Sequence, residues 1–116
     1  MRRAIAASIS ILSLLFASTS VQSAGIIGSG AHNCAEVLEA YRQDPGGTDR
    51  TTTQWALGFM SATNLTVTEG LEFDLTAIKP GEMQSWLRKY CAEHPRAEFY
   101  EAVDQLMFTL PKKPKG

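Results

Sequence analysis

Histidine and cysteine are scarce in this chain, two of each among 116 residues. That scarcity closes most routes to catalysis. No serine sits in a nucleophile-elbow pattern, and two histidines leave a triad to coincidence. The chain is therefore expected not to be an enzyme and to carry no cofactor. A cationic surplus is lacking too, with 11 Lys and Arg against 12 Asp and Glu. The one basic cluster, Lys112, Lys113 and Lys115, lies in a proline-interrupted tail expected to be solvated and frayed. No nucleic-acid partner is expected from such a balance. Long apolar runs are missing as well. Ala4–Ala17 reaches roughly 21 Å as a helix, short of the ~30 Å hydrocarbon core, so no stable membrane insertion is expected.

That apolar run follows Met1, Arg2 and Arg3 and leads into STSVQSA, the layout of a cleaved secretory signal. Val21 and Ser23 fit the −3 and −1 positions, which sets the expected cut after Ser23; cuts after Ala24 or Gly25 fit nearly as well. No cysteine follows closely enough for a lipoprotein anchor. The predicted layout is a signal peptide over 1–23, one helical domain over 24–110 and a basic tail over 111–116, in the periplasm. In an oxidising compartment two cysteines pair by default, giving a Cys34–Cys91 disulfide. Closing so long a loop removes unfolded-chain entropy worth about 4 kcal/mol in the chain-entropy model.

The predicted fold is all-α, a small bundle of about four helices stapled by that disulfide, with no convincing strand pair. Gly25–Gly30 (GIIGSG) reads as a flexible lead-in. Asn33 and Glu36 form a capping-box pattern, after which Cys34, Leu38 and Tyr41 share one helical face. Asp44–Asp49 (DPGGTD) is turn chemistry that ends this helix. Thr51–Thr68 carries no charge and has apolar residues on all sides, as suits a central helix covered by others, with a strand allowed at its end. Glu69–Lys79 has no clear period and is expected to be a long loop, with at most a short helical turn. Pro80 and Glu82 suit the first turn of a third helix whose buried stripe is Met83, Leu87, Tyr90 and Cys91. Pro95 stops it and suits the N1 position of the last helix. There Phe99, Val103, Leu106 and Leu110 share a face, flanked by Tyr100 and Met107.

Three pieces, the early helical Cys34, WALGFMSATN from Trp55 and WLRKYCAEHP from Trp86, resemble the exported helical acid chaperones of the HdeA/HdeB type. They are also similar to the Rap/Tai immunity proteins, which neutralise peptidoglycan amidase toxins. Either resemblance implies a disulfide-stapled helical domain, a protein partner and frequent dimers. The first implies a stress-response chaperone that holds unfolded clients. The second implies inhibition of an amidase by occlusion, with Asp44–Asp49 and Glu69–Lys79 as the contact loops. A structural accessory subunit of an envelope complex is a third reading.

Several residues carry paired readings. His32-Ala-Cys34 and Cys91-Ala-Glu-His94 would gather a metal-ligand set, but a disulfide removes both thiolates, and no metal is expected. His32 and His94 are candidate pH sensors, since histidine ordinarily titrates at about 6.5; their other reading is exposed polar residues at helix ends. Asn64-Leu65-Thr66 matches the glycosylation acceptor pattern, read as chance in a bacterial export context. Without its leader the chain has nine basic and 12 acidic residues, so acid carries it from about −3 to about +11. Repulsion of that size loosens a dimer or a fold. Trp55, Phe59, Met60 and Phe108 are the candidate client or dimer surface. Phe108 lies opposite Phe99 on the last helix, either on a fraying turn or as an anchor for self-association.

Overall fold

A computed structural model describes residues 25–67 and 69–115; the signal peptide expected over 1–23 lies outside the described residues. The described chain opens with a 3-10 turn, Gly28–Ala31, and continues into helix α1, Cys34–Gln43. The capping box is present: Glu36 N–H donates to Asn33 Oδ1 at 2.9 Å, and Asn33 N–H to Glu36 Oε2 at 3.2 Å.

Helix α2 spans Pro45–Leu65 and so begins six residues before the charge-free segment. Asp44–Asp49 is thus not a loop. Asp44 alone separates the two helices, and its carboxylate accepts the Gly47 N–H at 3.0 Å. Pro45 at N1 gives up a donor that a helix start leaves unpaired in any case, so the two glycines are drawn into the first turn. Nor is α2 covered all round. Among its residues Ala56 and Met60 are buried, while Leu57 and Leu65 are exposed. It ends at Leu65 with Thr66 as its C-cap, and neither Thr66 nor Val67 forms a strand.

Glu69–Lys79 holds more structure than a loop. Strand β1, Leu71–Phe73, is followed by a second 3-10 turn, Leu75–Ala77. Its partner is the tail expected to fray: β2, Lys112–Pro114, runs antiparallel with Glu72 opposite Lys113. The tail is exposed yet tied. Lys115 Nζ donates to the Val67 carbonyl, just past the end of α2, and Lys112 lies over the Phe73 ring at 5.1 Å. A cation there favours the negative end of the helix dipole.

Helix α3, Pro80–Glu93, starts where the proline placed it and buries Met83, Leu87 and Cys91, with Tyr90 half-exposed. Pro95 does stop that helix but does not open the next, because α4, Phe99–Thr109, is capped at Glu98. The intervening residues serve α1 instead. Cys34 N–H donates to Ala97 O at 2.8 Å and Ala35 N–H to Pro95 O at 3.0 Å. Met107, expected at the flank of α4, is buried with Phe99, Ala102, Val103 and Leu106.

The described residues are therefore mostly helical, with four α-helices and one small two-stranded sheet. One core holds Met60 of α2, Met83 and Leu87 of α3 and the inner face of α4. Each large apolar side chain removed from water there contributes roughly 1.5–3 kcal/mol. The Cys34–Cys91 disulfide sits within this core and joins α1 to α3, with Cα atoms 4.7 Å apart.

Candidate functional site

The most specialised local structure surrounds Trp55, near the middle of α2. Its ring stacks on Phe59 at 5.1 Å and leans on Phe99 of α4 at 5.9 Å. Its indole N–H reaches out of the helix and donates to Ile27 O at 2.8 Å. The segment before α1 is thus no flexible lead-in but a strap across an aromatic cluster. Two glycines make this approach feasible. A Cβ on Gly30 would fall 1.9 Å from Trp55 Cζ2, and Gly28 combines a φ of +78° with a ring contact of its own. Ser29 and Gly30 are buried, whereas the Ile27 side chain stands in solvent.

Beyond the strap lies a knot where two helices begin side by side. Asn33 and Glu98, the N-cap residues of α1 and α4, face each other in an isolated antiparallel bridge. Phe99 N–H donates to His32 O at 2.8 Å. Each helix start is held by a carboxylate three residues on. Glu36 accepts the Asn33 N–H, and Glu101 accepts the Glu98 N–H at 2.8 Å. Cys34 follows the knot directly, which places the staple beside it.

The sequence candidates do not gather into one surface. Trp55 and Phe59 share the strapped cluster, but Met60 points into the core and is fully buried. Phe108 stands 65% exposed, its ring edge-on to Phe73 of β1 at 6.1 Å. It therefore rests against the small sheet, at the C-terminal end of α4. His32 Nδ1 lies 3.2 Å from Glu36 Oε2, next to the knot. His94 Nδ1 lies 3.0 Å from Tyr90 O, and the imidazole stacks on the Tyr90 ring at 4.2 Å, closing a ladder with Trp86. Both histidines are exposed, and they have separate partners.

With the sulfurs joined, Cys34 and Cys91 are spent as ligands or nucleophiles. Among the described residues no cluster of three His, Cys, Asp or Glu is placed to hold a metal. No described helix is long and apolar enough to cross a membrane. Asn64 is occupied as well: its side-chain amide donates to Phe73 O at 2.8 Å and accepts Phe73 N–H at 3.1 Å. The amide closes the outer edge of β1 as a neighbouring strand would.

Sequence reasoning missed the strap and the second carboxylate cap. A signal for the cap stands in the sequence, since Glu98 and Glu101 have the N-cap-to-N3 spacing of a capping box. The glycines of GIIGSG signalled only a backbone free of side chains, not what would press against it. No protein-family model, curated protein or solved structure matches the chain.

Proposed function

We propose that this chain is an exported periplasmic binding protein of the HdeA-like acid-chaperone kind. On this reading the leader over 1–23 is removed and the domain associates as a homodimer at neutral pH. Acid then opens the domain, and unfolded client chains are held on the apolar surface released. The carrying observation is the strap across Trp55, whose ring stacks on Phe59, and the knot it ends in, where a carboxylate takes part in each of the two caps.

Three effects of acid act together at that knot. Neutralised Glu36 and Glu101 lose their favourable interaction with the positive ends of α1 and α4, typically 0.3–1 kcal/mol each. The His32 ring loses the anionic partner that Glu36 gives it beside those same helix ends. Whole-domain repulsion rises as the carboxylates neutralise. Lifting the strap uncovers the Trp55 ring beside half-buried Phe59; Phe108 is exposed from the start, and Met60 joins them only if the core itself parts.

The inhibitor reading is weaker, because one of its two contact loops, Asp44–Asp49, is the N-cap and first turn of α2. The deciding assay is light scattering of an aggregating client at pH 2–3, with and without the protein. Suppression at low molar excess, absent at pH 7, is expected. No suppression at several-fold excess would sink the proposal. The homodimer is checked separately by mass in solution at pH 7, where a monomer at micromolar concentration refutes it.

A further inference from the structure

A cleft of about 710 Å³ opens between α1, the first turns of α2 and the strap. This falls within the roughly 300–1,000 Å³ range of small-molecule sites. Its walls are built of short side chains. Val37 and Ala40 come from α1, and Gly47, Thr48, Thr51 and Thr52 from α2. The Thr51 hydroxyl donates to Gly47 O at 2.9 Å and that of Thr52 to Thr48 O at 2.7 Å. Those two hydroxyls are turned back onto their own helix, whereas Ser29 and Thr48 also bring hydroxyls to the lining.

Charge enters the cleft at its two ends. Glu36 lines one end and Asp44 the other, eight residues apart, or about 12 Å along the axis of α1. Among the described residues no lysine or arginine lines it, and the one imidazole present, His32, is paired with Glu36. Each carboxylate caps a helix N-terminus, whose dipole amounts to only about half a positive charge, so both ends remain net negative. Two anionic ends and a largely apolar middle exclude anions.

We propose that this cleft binds a linear aliphatic polyamine, its terminal ammonium groups on Glu36 and Asp44 and its methylenes over Val37, Ala40 and the threonine methyls. The site works with the strap closed, at neutral pH, and is independent of any client-holding role.

The test is calorimetric titration of the natively processed protein at pH 7 and low salt. The probes are spermidine, 1,8-diaminooctane, 1,4-diaminobutane and octylamine. One-to-one binding of the two long amines is expected, at least tenfold tighter than the short diamine or the monoamine. Glu36→Gln and Asp44→Asn keep their caps, because Gln and Asn serve in those positions, and each should weaken binding at least fivefold. Ala40→Phe fills the middle of the cleft away from both caps and should abolish binding. Equal affinity for octylamine, or no effect of Ala40→Phe in a variant with a native circular dichroism spectrum, would overturn the proposal.

Discussion

Replacing Gly30 with alanine adds one methyl group where the strap crosses Trp55. The new Cβ would lie 1.9, 2.1 and 2.7 Å from Cζ2, Cη2 and Cε2 of the indole, all well inside van der Waals contact. Gly30 is not in the left-handed region, so the cost is steric rather than conformational. Either the ring or the strap must move. Shifting the ring disturbs its stack on Phe59 and its contact with Phe99, and overpacking of this kind costs about 1–3 kcal/mol. Lifting the strap instead breaks the Trp55–Ile27 hydrogen bond, about 1 kcal/mol net, and re-exposes one face of the indole. Both routes converge on about 2 kcal/mol, or about 10 °C in Tm for a domain of this size.

Gly58→Ala is the matched control. It lies on the exposed face of α2 with nothing within 4 Å of the added Cβ. Relief of glycine's excess entropy should stabilise it by about 0.5–1 kcal/mol. Urea unfolding followed by far-ultraviolet circular dichroism compares the two variants, and tryptophan emission reports on the indole itself. If Gly30→Ala matched the wild type while Gly58→Ala gained stability, the strap would not be packed on Trp55 in solution.

Three further perturbations probe separate parts of the fold. Asn64→Asp turns a donor to the Phe73 carbonyl into an acceptor facing it; a loss of about 2 kcal/mol at pH 7 is expected, smaller in acid where the side chain can donate again, and equal urea midpoints would refute it. The Thr76 side chain, then its backbone N–H, hold the Asp74 carboxyl below its usual range. A lowered folded value stabilises at pH above the unfolded aspartate range, and that contribution fades as pH falls through the folded value. Thr76→Ala should therefore raise the Asp74 midpoint in a carboxyl-carbon NMR titration, and an unmoved midpoint rejects the assignment. Removing both Cys34 and Cys91 by alanine substitution should cost about 4 kcal/mol of unfolding free energy, and a change under about 1 kcal/mol would contradict the staple's role.

Local rules carried the sequence reading where the deciding contacts are a few residues apart. The Asn33–Glu36 box, the start of α3 at Pro80 and the inner face of α4 all answer to spacing or capping. The export argument likewise placed the disulfide between the first and third helices. Readings failed where the decisive partner is distant in sequence. Nothing in GIIGSG announces that Trp55 will lie against it, and nothing in Lys112–Lys115 announces a strand partner at Leu71–Phe73. The fate of Asp44–Asp49 was a nearer contest. Two glycines and a proline favour a turn, yet the Asp44 cap together with Pro45 at N1 turns them into a helix start. For the candidate site, Trp55 and Phe59 were legible as an aromatic pair one turn apart, but the strap that lies across Trp55 was not.

The covalent tie and the carboxylate caps meet at one place, and this bounds what the proposed opening can do. On the proposed acid-chaperone reading, acid weakens the carboxylate caps at the starts of α1 and α4 and frees the strap at its knot. It does not part α1 from α3, because Cys34 and Cys91 are joined inside the core. An acid-opened state should therefore lose the strap and the first turn of α4, while α1 stays pinned to α3 near the sulfurs. Hydrogen exchange at pH 3 should find early exchange at the Glu98 and Phe99 amides and continued protection around Leu87–Cys91. With the disulfide reduced under denaturant and the thiols blocked, that protection should vanish at the same pH. Uniform exchange across the oxidised domain would show that acid melts the fold as a whole. The strap and the knot would then be features of the folded state with no part in opening it.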